Sequence, residues 1–597
     1  MVAAAYAKTL LLRIAPDRVE QSETMNSIMR SCMSNEDRLQ SKWRSWLSPV
    51  DPSTNFSKAC SLRHGSSGNW LIHGEAFTRW RAQPGSFLWL YGMAGCGKTV
   101  LSSTILSHLS NNGDDWNKIL YFYFDFADVG KQTLSATVRT LLYQLSRHNE
   151  NHANAISDLW QKHDYGHRQP SLEQLCQLLQ ACIASEKELW IVIDAVDECT
   201  RDGSADREVL SWLEKVHHGS RNVHLLMTSR PESDIETSVK TWAQPESVLP
   251  IQSDSVAKDI DAYIHSTIAT RPDLHRWHKR PDAQQLIRQK LSEKAGGMFR
   301  WVACQIETIV DCISYQQLEW ALSHLPKGLY ETYDRMVSRI KESDREVAFR
   351  ILRFLIYSER PMSLEEAADL LLVDTEQSVL RDKNRYRLPK TEEIIQFCPG
   401  LVAIVPSTTE ASSAVEASSS KTGRLLQLAH FSVQEYFRSN RIDAVISAAF
   451  ESQESLRCLT LVYDAFSDTP EVDTAFPLAR YCARYWTVYG RGLLNVDKEV
   501  QSLADLLFEP EVMYERWLKL YDPDRPWAET PESGNRKDAL YCAAATGLLW
   551  KSKLLIEKGA NVNAEGGYHG NALQAAAFRG HEAVIKLLIE KGAKVSA

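Results

Sequence analysis

Residues 87–106 read FLWLYGMAGCGKTVLSSTIL, an apolar run, a glycine-rich turn and then a helical pattern. Gly92, four intervening residues, Gly97, Lys98 and Thr99 match the phosphate-binding loop G-x-x-x-x-G-K-S/T. Phe87 to Tyr91 reads as a buried strand and Val100 to Leu109 as an amphipathic helix, so the loop N–H groups and the helix N-terminus face one anion. Gly92, Gly95 and Gly97 permit the close backbone approach and the dihedrals such a loop needs. In this arrangement Lys98 reaches the β- and γ-phosphates of a nucleotide, and the Thr99 hydroxyl ligates Mg²⁺. The residues expected around the phosphates are Gly92, Gly95, Cys96, Gly97, Lys98, Thr99 and Val100. The plain alternative is a strand-to-helix turn that happens to carry a lysine.

Two further segments carry the chemistry that a phosphate cradle lacks. ELWIVIDAVDEC (188–199) is a second buried strand that runs into acids. Asp194 at its carboxyl end is placed as a Mg²⁺ partner, and Asp197 and Glu198 follow where a base polarises water. NVHLLMTSRPE (222–232) ends in Thr228, Ser229 and Arg230, two hydroxyls and a cation at a strand end where a γ-phosphate can be sensed. An acidic turn after a core strand, and a solvated arginine, are the bland readings of these two segments. Strands near 87–92, 119–126, 189–194, 222–229 and 246–251 alternate with helical stretches, the pattern of a parallel α/β sheet with its ligand at the carboxyl ends.

GMAGCGKT, IVIDAVDEC, MTSRPE and the upstream WLSPVDPSTNFSKACSLRHGSSGNWL resemble the NACHT nucleotide-binding domain of fungal STAND proteins, the signal-transducing NTPases related to animal NOD-like receptors. The resemblance runs from about residue 43 to about 490. It implies a switch in which a closed diphosphate-bound monomer opens on exchange for ATP or GTP, with Mg²⁺, and oligomerises. In such proteins the response is often cell death or self/non-self discrimination. It also implies that His430, in LAHFSVQEYFRS (428–439), contacts the β-phosphate of the resting diphosphate; a local backbone contact is the plain alternative.

Composition fits without deciding. The 597 residues call for several domains. With 44% hydrophobic and 24% charged residues and a net charge of −8, the chain lacks the basic excess of a nucleic-acid binder. Twelve cysteines lie scattered, with no C-x-x-C pair and no His/Cys cluster at zinc spacing, which points to a reducing compartment, the cytosol. No apolar run reaches the roughly 20 residues of a membrane span.

The expected organisation is multidomain α/β plus α. A helical segment (1–47) precedes the P-loop NTPase domain (48–255), then come a helical domain (256–345), a winged-helix-like domain (346–450), a helical linker (451–535) and ankyrin repeats (536–597). An apolar stripe from Met25 to Trp46 forms the first helix, and fewer than 50 residues leave no room for a separate effector domain. In LSEKAGGMFRWVACQIETI (291–309) the Gly-Gly break opens a helix, and the resemblance implies that Gly296 to Trp301 lie near the nucleotide, a plain helix start being the alternative. Ser363 and Glu366 form a capping box; LVAIV and LLQLAH form a wing around a Ser/Thr/Ala-rich tip (406–424) that cannot bury a core. LLIEKGA at 554–560 recurs at 587–593, an offset of 33, the ankyrin period. The chain stops at the start of a third repeat, so either the repeats lean on the helical region before them or the sequence is cut short. Two functions are open: a slow NTPase switch with protein partners on its ankyrin end and a nucleotide-dependent homo-oligomer, or a passive ankyrin adaptor with a structural nucleotide.

Overall fold

The computed structural model describes residues 43–594, apart from 112–115, 167, 200–204, 252, 375–378, 381–385, 407–423, 440–476, 491–500, 502–504, 506–507, 509–510 and 525–537. Of the expected first helix only 43–47 is described, and it is helical. The rest of that stripe, the tip of the wing and most of the linker lie outside the described residues. The described residues form two compact units, drawn respectively from Met1–Met336 with Val405–Arg424 and His430–Ser432, and from Val337–Ile404 with Leu425–Ala429 and Val433–Ala597.

The first unit is built on five parallel strands, β1 (Phe87–Tyr91), β2 (Ile119–Tyr123), β3 (Leu189–Asp194), β4 (Val223–Ser229) and β5 (Val248–Pro250), in the order β2-β3-β4-β1-β5. Every residue of β3 and β4 is buried, as expected of strands covered on both faces. Alternation divides their side chains between two cores. Trp89, Phe122, Ile191, Ile193, Leu225 and Met227 pack on the side of helices α3 (Leu134–Ser146) and α4 (Leu172–Ser185). Leu88, Leu90, Trp190, Val192 and Leu226 face α2 (Lys98–Asn111), α6 (Ser253–Thr270) and α7 (Phe299–Val310), while α5 (Ala205–Gly219) joins the first side. Helix α1 (Ser53–Leu62), upstream of the sheet, is tied down where Asn55 Nδ2 donates to Asp125 Oδ2 at 2.7 Å and Lys131 Nζ to Asn55 Oδ1 at 2.6 Å.

Strand order brings distant parts of the chain to one place. β4 lies between β3 and β1, with Tyr91 opposite Ser229 and Ile193 opposite Met227. The three segments singled out in the sequence therefore end side by side on one edge of the sheet, where such folds bind ligands.

In the second unit the Ser363–Glu366 capping box is formed and opens a short helix, Leu364–Asp369. Leu425 and Leu426 pair antiparallel with Ser363 and Met362. Two helix pairs, Ala539–Ala545 with Leu549–Glu557 and Ala572–Phe578 with Glu582–Glu590, stack through Leu540, Ala544, Leu573, Ala576, Val584 and Leu588. They do lean on what precedes them: Asp524 Oδ1 accepts the Tyr541 hydroxyl at 2.5 Å and its Oδ2 accepts the Tyr568 N–H at 2.9 Å.

Candidate nucleotide site

The loop after β1 has the dihedrals its glycines imply, with φ +77° at Gly95 and +96° at Gly97. A Cβ on Gly92 would fall 2.8 Å from Cys96 Sγ, so the loop closes on its own cysteine, which is 2% exposed and whose thiol is pushed up by burial. Lys98 Nζ donates to the carbonyls of Gly92 and Met93, at 2.8 and 3.1 Å, and so spans the mouth of the loop. Gly92 N–H bonds Ser229 O at 3.2 Å, fastening the loop to β4. Thr99 and Val100 lie in the first turn of α2, with Thr99 exposed.

Asp194 is 1% exposed. Its Oδ1 accepts the Thr228 hydroxyl at 2.7 Å, and the same hydroxyl oxygen accepts the N–H of Ala195 at 3.0 Å. Ala195 itself sits at φ 55°, a left-handed turn that brings the chain round into Asp197 and Glu198. Asp194 Oδ2 is buried with no hydrogen-bond partner, while the Thr99 and Ser102 hydroxyls are near enough to oppose the upward push of burial on the carboxyl. A buried carboxylate oxygen left over beside a threonine hydroxyl suits Mg²⁺, a hard cation that binds P-loop proteins through one carboxylate, one hydroxyl and phosphate oxygens. Thr99 and Asp194 are the residues that would hold it. Among the described residues no group of three or more His, Cys, Asp or Glu could form an all-protein metal site.

The two acids after Asp194 have separate surroundings. Asp197 is taken up by Arg230, accepting its backbone N–H at 3.0 Å and its Nε at 2.7 Å. Glu198 Oε2 accepts the Phe126 N–H at 3.0 Å, and burial, with Asp197 and Asp125 adding to it, raises its carboxyl well above the usual range. A raised carboxyl is the better proton acceptor of the pair once ionised.

His430, Phe431 and Ser432 belong to this first unit. The Arg230 guanidinium lies 4.8 Å over the Phe431 ring, and Phe126 packs on the same ring at 5.0 Å. His430 Nδ1 accepts the Ser432 N–H at 3.1 Å, which leaves the proton of the neutral ring on Nε2. His430 keeps some solvent-facing area, yet desolvation, then Arg300, Lys98, Lys58 and Arg230, hold its imidazole down to about 3. It is neutral at physiological pH.

Against this geometry, residues 66–230 match the family model of the nephrocystin 3 N-terminal region, and residues 513–597 match ankyrin repeats in three copies. The chain is 31% identical over 276 residues to the azaphilone pigments biosynthesis cluster protein L of Monascus ruber, covering 42% of this chain and 56% of that protein's length. The matches fall on the phosphate-loop segment and on the C-terminal helix pairs, each a part of the chain, and the chain spans about half the length of the pigment-cluster protein. Among solved structures it is similar to Cdc6p of Pyrobaculum aerophilum (13% identity, 69% of this chain and 99% of that chain, TM-score 0.24). It is also similar to Drosophila ORC bound to DNA (11% identity, 67% and 98%, TM-score 0.26). Likenesses this weak carry no argument, and the fold rests on the order and direction of the five strands.

Lys98, Thr99, Asp194, Asp197, Glu198 and Arg230 gather at the carboxyl ends of three adjacent strands, and His430 has Lys98 and Arg230 among the charges acting on it. Sequence reasoning reached Arg300 only as part of the Gly296–Trp301 stretch and did not single out Lys58, Tyr333, Phe431 or Ser432. Lys58 lies in the upstream stretch that resembles the family, and Arg300 in the segment after the Gly-Gly break, but neither spacing distinguishes a site cation from a solvated one.

Proposed function

We propose that this chain is a nucleotide-operated signalling switch of the STAND type. It binds ATP or GTP with Mg²⁺, hydrolyses it slowly, rests with the diphosphate, and couples the nucleotide's state to self-association. The ankyrin repeats recognise a protein partner. Its setting is the fungal cytosol, in a self/non-self or immunity-like response. The observation that carries this reading is the buried, unpartnered Asp194 Oδ2 beside the Thr99 hydroxyl, at the edge of the sheet where Lys98 spans the loop. A divalent cation held by Thr99 and Asp194, with a phosphate chain at Lys98, would use all three groups.

In this reading Lys98 and the amides of Gly95 to Val100 bind the phosphates, and Arg230, held by Asp197, faces the γ-phosphate. Glu198 takes a proton from the attacking water. The Mg²⁺ bound by Thr99 and Asp194 would neutralise charge on the β- and γ-phosphates. Neutral His430, its proton on Nε2, donates to the β-phosphate and holds the resting form. Slow turnover suits a switch better than fast turnover, because each state must outlast the signal it carries.

The test is light scattering of the full chain loaded with diphosphate or with a non-hydrolysable triphosphate, after the co-purifying nucleotide has been identified by mass spectrometry. The switch requires a monomer with the first and self-association with the second, and loss of that difference in Lys98→Ala. One monomeric mass throughout would leave a passive adaptor.

A further inference from the structure

Helix α7 meets the phosphate loop at two points. The Arg300 backbone N–H is directed at the Gly95 carbonyl, with N···O 3.4 Å. A Cβ built on Gly95 would lie 2.8 Å from Arg300 Cβ, and one on Gly97 3.6 Å from the Phe299 ring. The stem of Arg300 is therefore pressed against the part of the loop whose amides face the phosphates. Glycine at position 95 is what allows so close an approach.

The head of the same arginine is joined to a second element of the site. Arg300 Nε lies 3.5 Å from the Tyr333 hydroxyl, which pairs with Ser432 Oγ at 2.8 Å, and Ser432 Oγ pairs with His430 Nδ1 at 2.7 Å. The charges acting on the His430 ring come from Arg300, Lys98, Lys58 and Arg230, four cations carried by α7, the loop, α1 and the end of β4. Asp197 already pairs with Arg230, and Asp125 and Glu198 act on Lys58, while Arg300 and Lys98 bring two further positive charges to the same ring. A nucleotide's phosphate chain is an anion of matching charge, and a guanidinium can bind two of its oxygens at once where an ammonium acts as a point charge.

We infer that Arg300 is a phosphate-contacting residue, donating its guanidinium to the phosphate chain of the nucleoside triphosphate at this loop. The assignment rests on the proposed nucleotide site. It makes the helix after the Gly-Gly break part of the binding site and not merely its cover. It also gives the Tyr333–Ser432–His430 chain a role: when Arg300 is drawn toward phosphate, the hydrogen bonds that orient His430 change with it.

The experiment is titration of the full chain with fluorescent triphosphate and diphosphate analogues, comparing wild type, Lys98→Ala, Arg300→Ala, Arg300→Lys and Arg300→Gln, with near-ultraviolet circular dichroism as the check on folding. Arg300→Ala and Arg300→Gln should weaken triphosphate binding about ten- to a hundredfold, the range of one charge-assisted contact. Arg300→Lys should recover part of that loss, through its charge alone. A purely structural role would not separate Lys from Gln, so equal affinity of those two variants overturns the inference even if Arg300→Ala does not fold. Wild-type affinity in Arg300→Ala alongside lost binding in Lys98→Ala overturns it while sparing the site. Unchanged binding in Lys98→Ala brings down the site itself.

Discussion

Asp197 holds Arg230 by both its main chain and its side chain, one carboxylate oxygen accepting the backbone N–H at 3.0 Å and the other the Nε at 2.7 Å. The aspartate's side chain is 3% exposed and the arginine's 17%, so the pair is largely out of water, and the guanidinium lies 4.8 Å over the Phe431 ring.

Asp197→Asn should therefore reproduce much of the effect of Arg230→Ala. Removing one partner of a largely buried pair costs about 3 kcal/mol or more of stability, and both variants should slow phosphate release. In a double-mutant cycle the two losses should fall short of adding, with a coupling of roughly 0.5–3 kcal/mol. Strict additivity in phosphate release would show that Asp197 acts independently of Arg230.

Glu198→Gln should keep nucleotide affinity and slow phosphate release by about 10²–10⁴, since an amide cannot accept water's proton. The pH dependence follows from its raised carboxyl. A base must be ionised to act, so the wild-type rate should climb with pH to a value well above the ordinary carboxylate range, and fall on acidification sooner than an exposed glutamate would allow. Pre-steady-state phosphate release from pH 5 to 8 checks this; a flat wild-type profile would move the base elsewhere.

His430 gives a stability prediction with a definite sign. Its imidazole is held down to about 3 in the folded protein, against about 6.5 unfolded. The unfolded chain therefore binds a proton between those values that the folded one does not, and stability is lost as pH falls below about 6.5. Between pH 7.5 and 5 the loss from this group should approach about 2 kcal/mol. Urea unfolding of wild type against His430→Gln over that range should show a shallower acid loss in the variant, and parallel curves would argue that the ring is solvated.

The ankyrin end offers an independent check. Asp524 is 2% exposed and satisfies both the Tyr541 hydroxyl and the Tyr568 N–H. Asp524→Ala strands two donors, which should cost the repeats about 2–3 kcal/mol, with less from Asp524→Asn. Hydrogen exchange at Ala539–Ala545 should accelerate while nucleotide affinity stays unchanged.

Much of the fold and site is legible in the chain. The β1 and β3 strands and the loop between β1 and α2 announce themselves, because glycine spacing and continuous apolar runs are local signals. The Ser363 cap is readable to the residue, since a capping box is local as well. Strand order is not: nothing in NVHLLMTSRPE says that β4 inserts between β1 and β3. For the same reason Asp197 and Arg230 stand out as separate candidates but not as one ion pair, their 33-residue separation being closed only by the sheet. Arg300 meets the loop, and Tyr333 and Ser432 meet Arg300 and His430, only through tertiary packing, and their side chains carry no spacing signature.

Cys96, at the heart of the phosphate loop, bears on oxidative chemistry. A cysteine next to Lys98 at a helix N-terminus has the setting in which thiols are commonly activated, since positive charge favours the thiolate. Here the sulfur is turned inward beneath Gly92, and burial outweighs the lysine and pushes the thiol up, so it stays protonated and enclosed. The loop is thereby insulated from peroxide, disulfide exchange and alkylating reagents. Iodoacetamide should label Cys60 and Cys176, the half-buried thiols among the described cysteines, well before it reaches Cys96.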